Sequence, residues 1–131
     1  MRYLLDTSVC VAVLRGQPGV IDRLTTIEPS VVAVSTITIA ELWHGVLKSR
    51  APESTGMGVR RFLEPLTVLP FDENAAMRHA ASRRALEIAG TPIGERDLII
   101  AATALANESA VATQNVGEFA RVPDLVVERW P

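Results

Sequence analysis

Three acidic residues stand where apolar segments of the sequence give way to helical ones. Asp6 directly follows the apolar residues 3–5, Glu41 lies in the first turns of the helical pattern after residues 31–35, and Asp97 opens a further helical pattern. Carboxylates that are brought together repel one another and lose hydration, and oxygen-preferring cations such as Mg²⁺ and Mn²⁺ relieve both costs. If the three segments end at one edge of a sheet, these acids predict a divalent metal site.

A metal site of this kind suits chemistry on phosphodiesters. The ion can activate a water molecule, orient a phosphodiester and stabilise the departing oxygen, so no general-base histidine is required. The formal net charge of −2 excludes a general attraction of the whole surface to nucleic acid. A bound cation would supply positive charge at the place where an anionic polymer has to bind.

Length and composition predict one ordinary globular domain covering residues 1–131. Hydrophobic residues make up 48% of the chain, enough to bury a core that offsets the entropy of ordering. Cys10 is the single cysteine, so no disulfide can form within the chain, and a reducing, cytoplasmic location is expected. Asp6 interrupts the apolar start, which argues against a signal peptide, and no run reaches the ~18 apolar residues of a membrane span.

The hydrophobic periodicity alternates between strand and helix patterns along the chain. Short apolar runs predict strands over residues 3–5, 31–35, 66–69, 110–113 and 125–128. Helical spacing predicts helices over residues 9–14, 20–27, 36–48, 59–63, 74–89 and 97–107, and Pro52, Gly56 and Gly58 predict a loop over residues 51–58. This alternation favours a parallel sheet covered on both faces, with functional residues at the carboxyl ends of its strands.

Each of the three acids also has a purely structural interpretation. Asp6 precedes Thr and Ser in a sequence typical of a helix N-cap, and Thr38 with Glu41 matches a capping box. Asp97 stands in the first turn of a predicted helix, where the helix dipole favours a negative charge. Capping does not account for residues 94–102 as a whole.

Four segments of the sequence, in this order, resemble the PIN-domain ribonucleases of the VapC toxin type. They are LLDTSV (residues 4–9), STITIAEL (35–42), PIGERDLIIAA (92–102) and ATQNVGEF (112–119). The resemblance covers nearly the whole chain. It implies an α/β fold, a PIN-like three-layer α/β/α sandwich with a central parallel sheet of four to five strands in the order 3-2-1-4-5.

The resemblance also implies an activity and partners. It predicts a Mg²⁺- or Mn²⁺-dependent endoribonuclease that hydrolyses RNA with a water held by the metal. The enzyme would be the toxin of a type II toxin–antitoxin pair, with a VapB-type antitoxin encoded beside it. A homodimer and a toxin–antitoxin hetero-oligomer are expected, and no membrane partner.

Carried onto this sequence, the family's metal-binding aspartates match Asp6 and Asp97, and Glu41 matches the glutamate that completes the acidic cluster. The fourth catalytic position is Asn115, where some members of the family have aspartate. Asn115 can contribute its amide oxygen but no charge, which bears on whether a second metal ion binds. Glu118 is the residue that could substitute for the missing acid.

Other polar residues receive a minor role or a structural one. The hydroxyl of Thr7 or Ser8 is expected to support the site, and Arg96 to bind an acidic or backbone group of the antitoxin. His44 is interpreted as a surface residue, because a Glu-x-x-His pair occurs only once and a di-iron bundle needs two. The basic clusters at residues 48–50, 60–61 and 78–84 are solvated surface charge or, alternatively, contacts to RNA phosphates.

Two alternative functions remain open on the sequence alone. A PIN-like binding module with little or no nuclease turnover is favoured by the uncharged Asn115. A nucleotide-binding or phosphotransfer domain is disfavoured, because no glycine-rich phosphate loop follows a strand. Residues 6–8 also lack the second aspartate that aspartyl-phosphate enzymes place two residues after the first.

Overall fold

The computed structural model describes all 131 residues and is built around one parallel sheet of five strands. The strands are β1 (Arg2–Leu5), β2 (Val32–Ser35), β3 (Thr67–Leu69), β4 (Ser109–Thr113) and β5 (Val127–Arg129). Their order across the sheet is β3-β2-β1-β4-β5, and every neighbouring pair is parallel. The predicted fold class and strand order are confirmed.

Seven α-helices connect the strands. They are α1 (Thr7–Leu14), α2 (Pro18–Thr25), α3 (Thr36–Lys48), α4 (Pro52–Leu63), α5 (Glu73–Ala89), α6 (Glu95–Ala106) and α7 (Val116–Phe119), and a 3₁₀ turn covers Pro29–Val31. No helix is both long enough and apolar enough to span a membrane.

The side chains of the central strands alternate between two cores, one on each face of the sheet. Leu5 packs with residues of α1 to α4, whereas Leu4 packs with residues of α5, α6 and the segment around Phe119. Both leucines are fully buried. Two buried faces explain why these strands are continuously apolar, and they produce the three layers that the sequence predicts.

The register of the sheet brings three strand ends together. Leu5 at the end of β1 pairs with Val34 of β2 on one side and with Ala112 of β4 on the other. The residues that follow these three therefore leave the sheet at the same edge, because parallel strands run in the same direction. Asp6 is the central one of them.

One element of the sequence prediction is wrong: residues 52–58 are helical and belong to α4, which begins at Pro52 and has Ala51 as its N-cap. Proline is well suited to the first turn of a helix, where its missing N–H costs no hydrogen bond. Gly56 lets α4 pack closely on α3, since a Cβ there would lie 3.3 Å from the ring of Trp43. Arg60 of α4 lies over the same ring, 5.0 Å from its centre. Contacts with α3 therefore stabilise a helix whose glycines indicate a loop.

Smaller differences concern element ends. Helix α6 begins at Glu95, two residues earlier than predicted, and β5 covers Val127–Arg129 instead of residues 125–128. The short helix α7 has no counterpart among the predicted elements.

Candidate active site at the carboxyl edge of the sheet

Asp6 is held by three hydrogen bonds where β1 turns into α1. It is the N-cap of α1 and is 4% exposed. Its Oδ1 accepts from the backbone N–H of Val9 at 2.9 Å and from the Ser8 hydroxyl at 2.7 Å, and its Oδ2 accepts from the Thr113 hydroxyl at 2.5 Å. The capping role considered for Asp6 is confirmed, and both carboxylate oxygens have fixed directions.

Thr113 joins the Asp6 carboxylate to the loop after β4. It is fully buried at the end of β4, and its hydroxyl accepts from the backbone N–H of Asn115 at 2.8 Å while donating to Asp6. Sequence reasoning did not single out Thr113. The parallel pairing of Leu5 with Ala112 places the next residues, Asp6 and Thr113, side by side, so the register would have indicated this contact.

Asp97 and Glu118 form the second acidic pair of the site. Asp97 lies half-buried in the first turn of α6, and Glu118 lies in α7. Partial burial, hydrogen bonding to the Glu118 carboxyl and the charges of Glu118 and Asp6 raise the pKa of Asp97 to about 7. The same hydrogen bond lowers the pKa of Glu118, whose Oε1 also accepts from the backbone N–H of Gly94 at 3.2 Å. The hydrogen bond between the two carboxyls therefore favours the protonated form of Asp97 and the ionised form of Glu118.

Glu41 is paired with an arginine instead of joining the other acids. Its Oε1 lies 2.5 Å from Nε of Arg96, the residue that immediately precedes Asp97. The Glu41 side chain is 21% exposed and that of Arg96 is 71% exposed. Glu41 thus reaches the edge where α6 begins, but its charge is compensated by Arg96.

Among the remaining predicted site residues, Ser8 contacts Asp6 directly, whereas the Thr7 hydroxyl lies 3.1 Å from that of Thr38. Asn115 lies at the N-terminal end of α7, and its backbone N–H bonds to Thr113. The Asn115 side chain caps no helix end. The backbone N–H of Asn115 therefore links this residue, through Thr113, to the Asp6 carboxylate.

The side chains are not gathered into a complete metal cage. No group of three or more His, Cys, Asp or Glu side chains is close enough together to hold one metal ion. Asp6 and Asp97 are near enough that the charge of Asp6 contributes to the raised pKa of Asp97, while Glu41 is bound by Arg96. The structure thus brings two of the three predicted ligands together and directs the third to a counter-ion.

The donor set fits a small, hard divalent cation. Asp6 and Asp97 offer only oxygen atoms, and burial, Glu118 and, to a smaller extent, the charge of Asp6 raise the pKa of Asp97. Mg²⁺ is commonly held by one or two carboxylates, with water and substrate phosphates completing its coordination. Two neighbouring carboxylates at an accessible edge satisfy that requirement without a third acid.

The fold and this acidic edge define the chain as a member of the PIN domain family, which its sequence matches over residues 3–125. Within the family it is similar to VapC proteins over its full length. It is 35% identical to the tRNA(fMet)-specific endonuclease VapC of Salmonella typhimurium and 34% identical to ribonuclease VapC2 of Rickettsia felis, with 99% of this chain and 98% of each relative covered. The resemblance inferred from the four segments is confirmed.

Solved structures agree with these sequence relatives. A crystal structure of DNA-bound VapBC from Salmonella typhimurium includes a chain that matches with a TM-score of 0.94 at 34% identity, covering 100% of this chain and 99% of that one. VapBC2 from Rickettsia felis, bound to a DNA fragment from its promoter, matches with a TM-score of 0.93 at 32% identity over 100% of both chains. The resemblance therefore covers the whole fold, including the acidic edge.

Proposed function

We propose that this chain is an endoribonuclease and the toxin of a VapBC-type toxin–antitoxin pair, built as one PIN domain over residues 1–131. The observation that carries the proposal is the Asp6 carboxylate, fixed at the carboxyl edge of the sheet with Asp97 close enough for its pKa to respond to the Asp6 charge. Burial, the Glu118 carboxyl and this charge together raise the pKa of Asp97 to about 7. The full-length similarity to VapC ribonucleases supports RNA as the substrate.

Asp6 and Asp97 are the residues that would hold the cation, which we propose to be Mg²⁺ or Mn²⁺. When bound, the ion supplies positive charge for a phosphodiester and lowers the pKa of water, so that hydroxide is available at neutral pH. Glu41 and Asn115 would play supporting roles: Glu41 as a further carboxylate once it is released from Arg96, and Asn115 through its amide oxygen.

The chain's own residues prepare the site in distinct ways. Ser8, Val9 and Thr113 fix the orientation of the Asp6 carboxylate, so it is ordered before any ligand arrives. Asp97 must give up its proton before it can act as a ligand, because only the ionised carboxylate binds a cation well. Glu118, which is hydrogen-bonded to Asp97, would be the fourth acid of this edge in place of the uncharged Asn115.

The partners proposed for the chain follow from its relatives. The matching solved structures include VapBC complexes, which supports a VapB-type antitoxin as a partner and a hetero-oligomer with it. A homodimer of the toxin is also proposed. A cytoplasmic location suits a protein that acts on cellular RNA and has one free, buried cysteine.

Cleavage of RNA by the purified chain, free of antitoxin, tests the proposed function. A labelled pool of total RNA that includes tRNA is incubated with Mn²⁺, with Mg²⁺ or with EDTA. We expect discrete cleavage products with either ion, none with EDTA, and a loss of about 100-fold or more for Asp97→Asn. Equal cleavage by wild type and Asp97→Asn would reject the assigned site, and a folded protein that cleaves no RNA would favour a binding module.

A further inference from the structure

The Arg96–Glu41 ion pair joins a largely exposed guanidinium to a largely buried carboxylate. The Arg96 side chain is 71% exposed, and one of its nitrogens, Nε, lies against Glu41. Water and salt screen the exposed guanidinium, and a long, exposed side chain gains freedom when it is released. Glu41 is only 21% exposed, so its carboxylate needs another cation if Arg96 leaves. Arg96 can therefore change partner at little cost only when a cation replaces it at Glu41.

The surroundings of the pair favour such an exchange. Without a cation, the Arg96 guanidinium compensates the charge of Glu41 and adjoins Asp97 in the sequence. A divalent ion at Asp6 and Asp97 would take over this compensation. An RNA phosphate arriving at the same edge presents oxygen pairs that a planar guanidinium can bind through two parallel N–H donors.

A second arginine near the acids, Arg121, is bound to a backbone carbonyl and is not paired with Glu41. Arg121 donates from Nη1 to the backbone carbonyl of Pro92 at 2.9 Å, and its charge contributes to the lowered pKa of Glu118. It is therefore a natural control for effects of positive charge alone. Only Arg96 is paired with a carboxylate that the metal site could use.

We infer that Arg96 is an exchangeable, substrate-binding residue, which holds Glu41 in the RNA-free protein and moves to an RNA phosphate when substrate binds at the metal-loaded site. The inference rests on the proposed function and assigns Arg96 a ligand other than the antitoxin. It predicts two opposite effects of one substitution. Removing the guanidinium frees Glu41 for the cation and deprives the RNA of a phosphate contact.

The test compares Arg96→Gln, Arg96→Lys and Arg121→Gln with wild type in two assays. Calorimetry without RNA measures the affinity for Mn²⁺, and steady-state cleavage of a labelled RNA at saturating Mn²⁺ separates KM from kcat. For Arg96→Gln we expect Mn²⁺ to bind about two- to fivefold more tightly, as loss of an exposed ion pair allows. We expect its KM to rise about tenfold, with kcat changed less than about threefold.

The two other variants separate the paired guanidinium from positive charge in general. Arg96→Lys should retain nearly wild-type Mn²⁺ affinity with an intermediate KM, because lysine keeps the charge but lacks the planar fork. Arg121→Gln should change the affinity for Mn²⁺ less than Arg96→Gln does, since its guanidinium acts on Glu118 from a distance and does not occupy Glu41.

Three results would overturn the inference: unchanged KM and Mn²⁺ affinity in Arg96→Gln, weaker Mn²⁺ binding in that variant, or the same gain in Arg121→Gln. Failure of the proposed function is recognised separately, because the wild-type protein would then neither bind Mn²⁺ nor cleave RNA.

Discussion

Asp6 and Asp97 lie at the same edge of the sheet and differ in how firmly the chain holds them. The Asp6 carboxylate accepts three hydrogen bonds and caps α1. Asp97 has an acidic neighbour, Glu118, and a pKa raised to about 7. One aspartate is stabilised by the fold as an anion, whereas the other is destabilised as an anion until positive charge arrives.

The comparison shows how a structural and a functional role can be divided between two identical side chains. Because folding raises the pKa of Asp97 from 3.8, its contribution to stability is complete below pH 3.8 and is lost as the pH rises through about 7. At neutral pH and above, the metal-free protein therefore carries a cost at Asp97 that a bound cation would remove. Asp6 differs in that its carboxylate accepts three hydrogen bonds.

The largest expected contrast is in stability. Asp6→Ala should lower the free energy of unfolding by about 3 kcal/mol, because it removes an N-cap and leaves the buried Thr113 hydroxyl without its acceptor. Asp97→Ala at pH 8 in EDTA should instead raise the free energy of unfolding, by about 1 kcal/mol, since relief of desolvation and of repulsion outweighs the lost helix-dipole interaction.

Urea unfolding of both variants measures this difference. Asp6→Asn serves as the milder control, since its amide oxygen can still accept the α1 capping bond. Equal destabilisation by Asp6→Ala and Asp97→Ala would remove the distinction between the two sites.

The affinity for the cation should depend on pH through Asp97. Below pH 7 an incoming ion must displace the proton of Asp97, so Mn²⁺ affinity should fall about tenfold for each pH unit below 7 and level off above it. Calorimetry in buffers of different ionisation enthalpy should detect about one proton released at pH 6 and almost none at pH 8.5. An affinity that does not change between pH 5.5 and pH 8 would contradict the raised pKa.

A smaller effect is expected at the hydroxyl that orients Asp6. Thr113→Val removes the donor to Asp6 and the acceptor for Asn115, and should cost about 1–2 kcal/mol of stability. It should also reduce RNA cleavage, because the Asp6 carboxylate loses one of the hydrogen bonds that orient it. Thr113→Ser, which keeps the hydroxyl, should restore both, and a variant series in which valine and serine behave alike would show that the hydroxyl is dispensable.

The smallest effect is expected at Glu118. Glu118→Gln removes the charge that acts on Asp97, so the pKa of Asp97 should fall toward its ordinary value while remaining above it because of burial. Carbon-13 NMR titration of the Asp97 carboxyl in metal-free protein measures the change. A pKa that stays at about 7 in this variant would assign the effect to burial alone.

Much of the fold is predictable from local patterns, and the exception is instructive. Continuous apolar strands and intervening helical spacing indicate a parallel sheet, and the resemblance adds its order, which is confirmed. The loop predicted for residues 51–58 is wrong because Gly56 lies in a helix that packs closely against Trp43, a contact between elements that no local pattern shows.

The site is predictable in its location but less so in its contacts. Asp6 follows the end of β1 and Asp97 lies in the first turn of α6, as the sequence indicates, and their roles as metal ligands remain predictions. The pairing of Glu41 with Arg96 and the bond from Gly94 to Glu118 depend on how α6 packs beside α3 and α7. The partner that each of these side chains contacts is decided by tertiary packing, which the spacing of residues along the sequence does not show.

Anomalous scattering from crystals grown with Mn²⁺ tests the central claim most directly, because it locates the ion independently of any activity. The account predicts one Mn²⁺ peak about 2.0–2.2 Å from a carboxylate oxygen of both Asp6 and Asp97 at pH 8. A fully occupied Mn²⁺ site that touches neither aspartate, or no ion at this edge at saturating Mn²⁺, would contradict it.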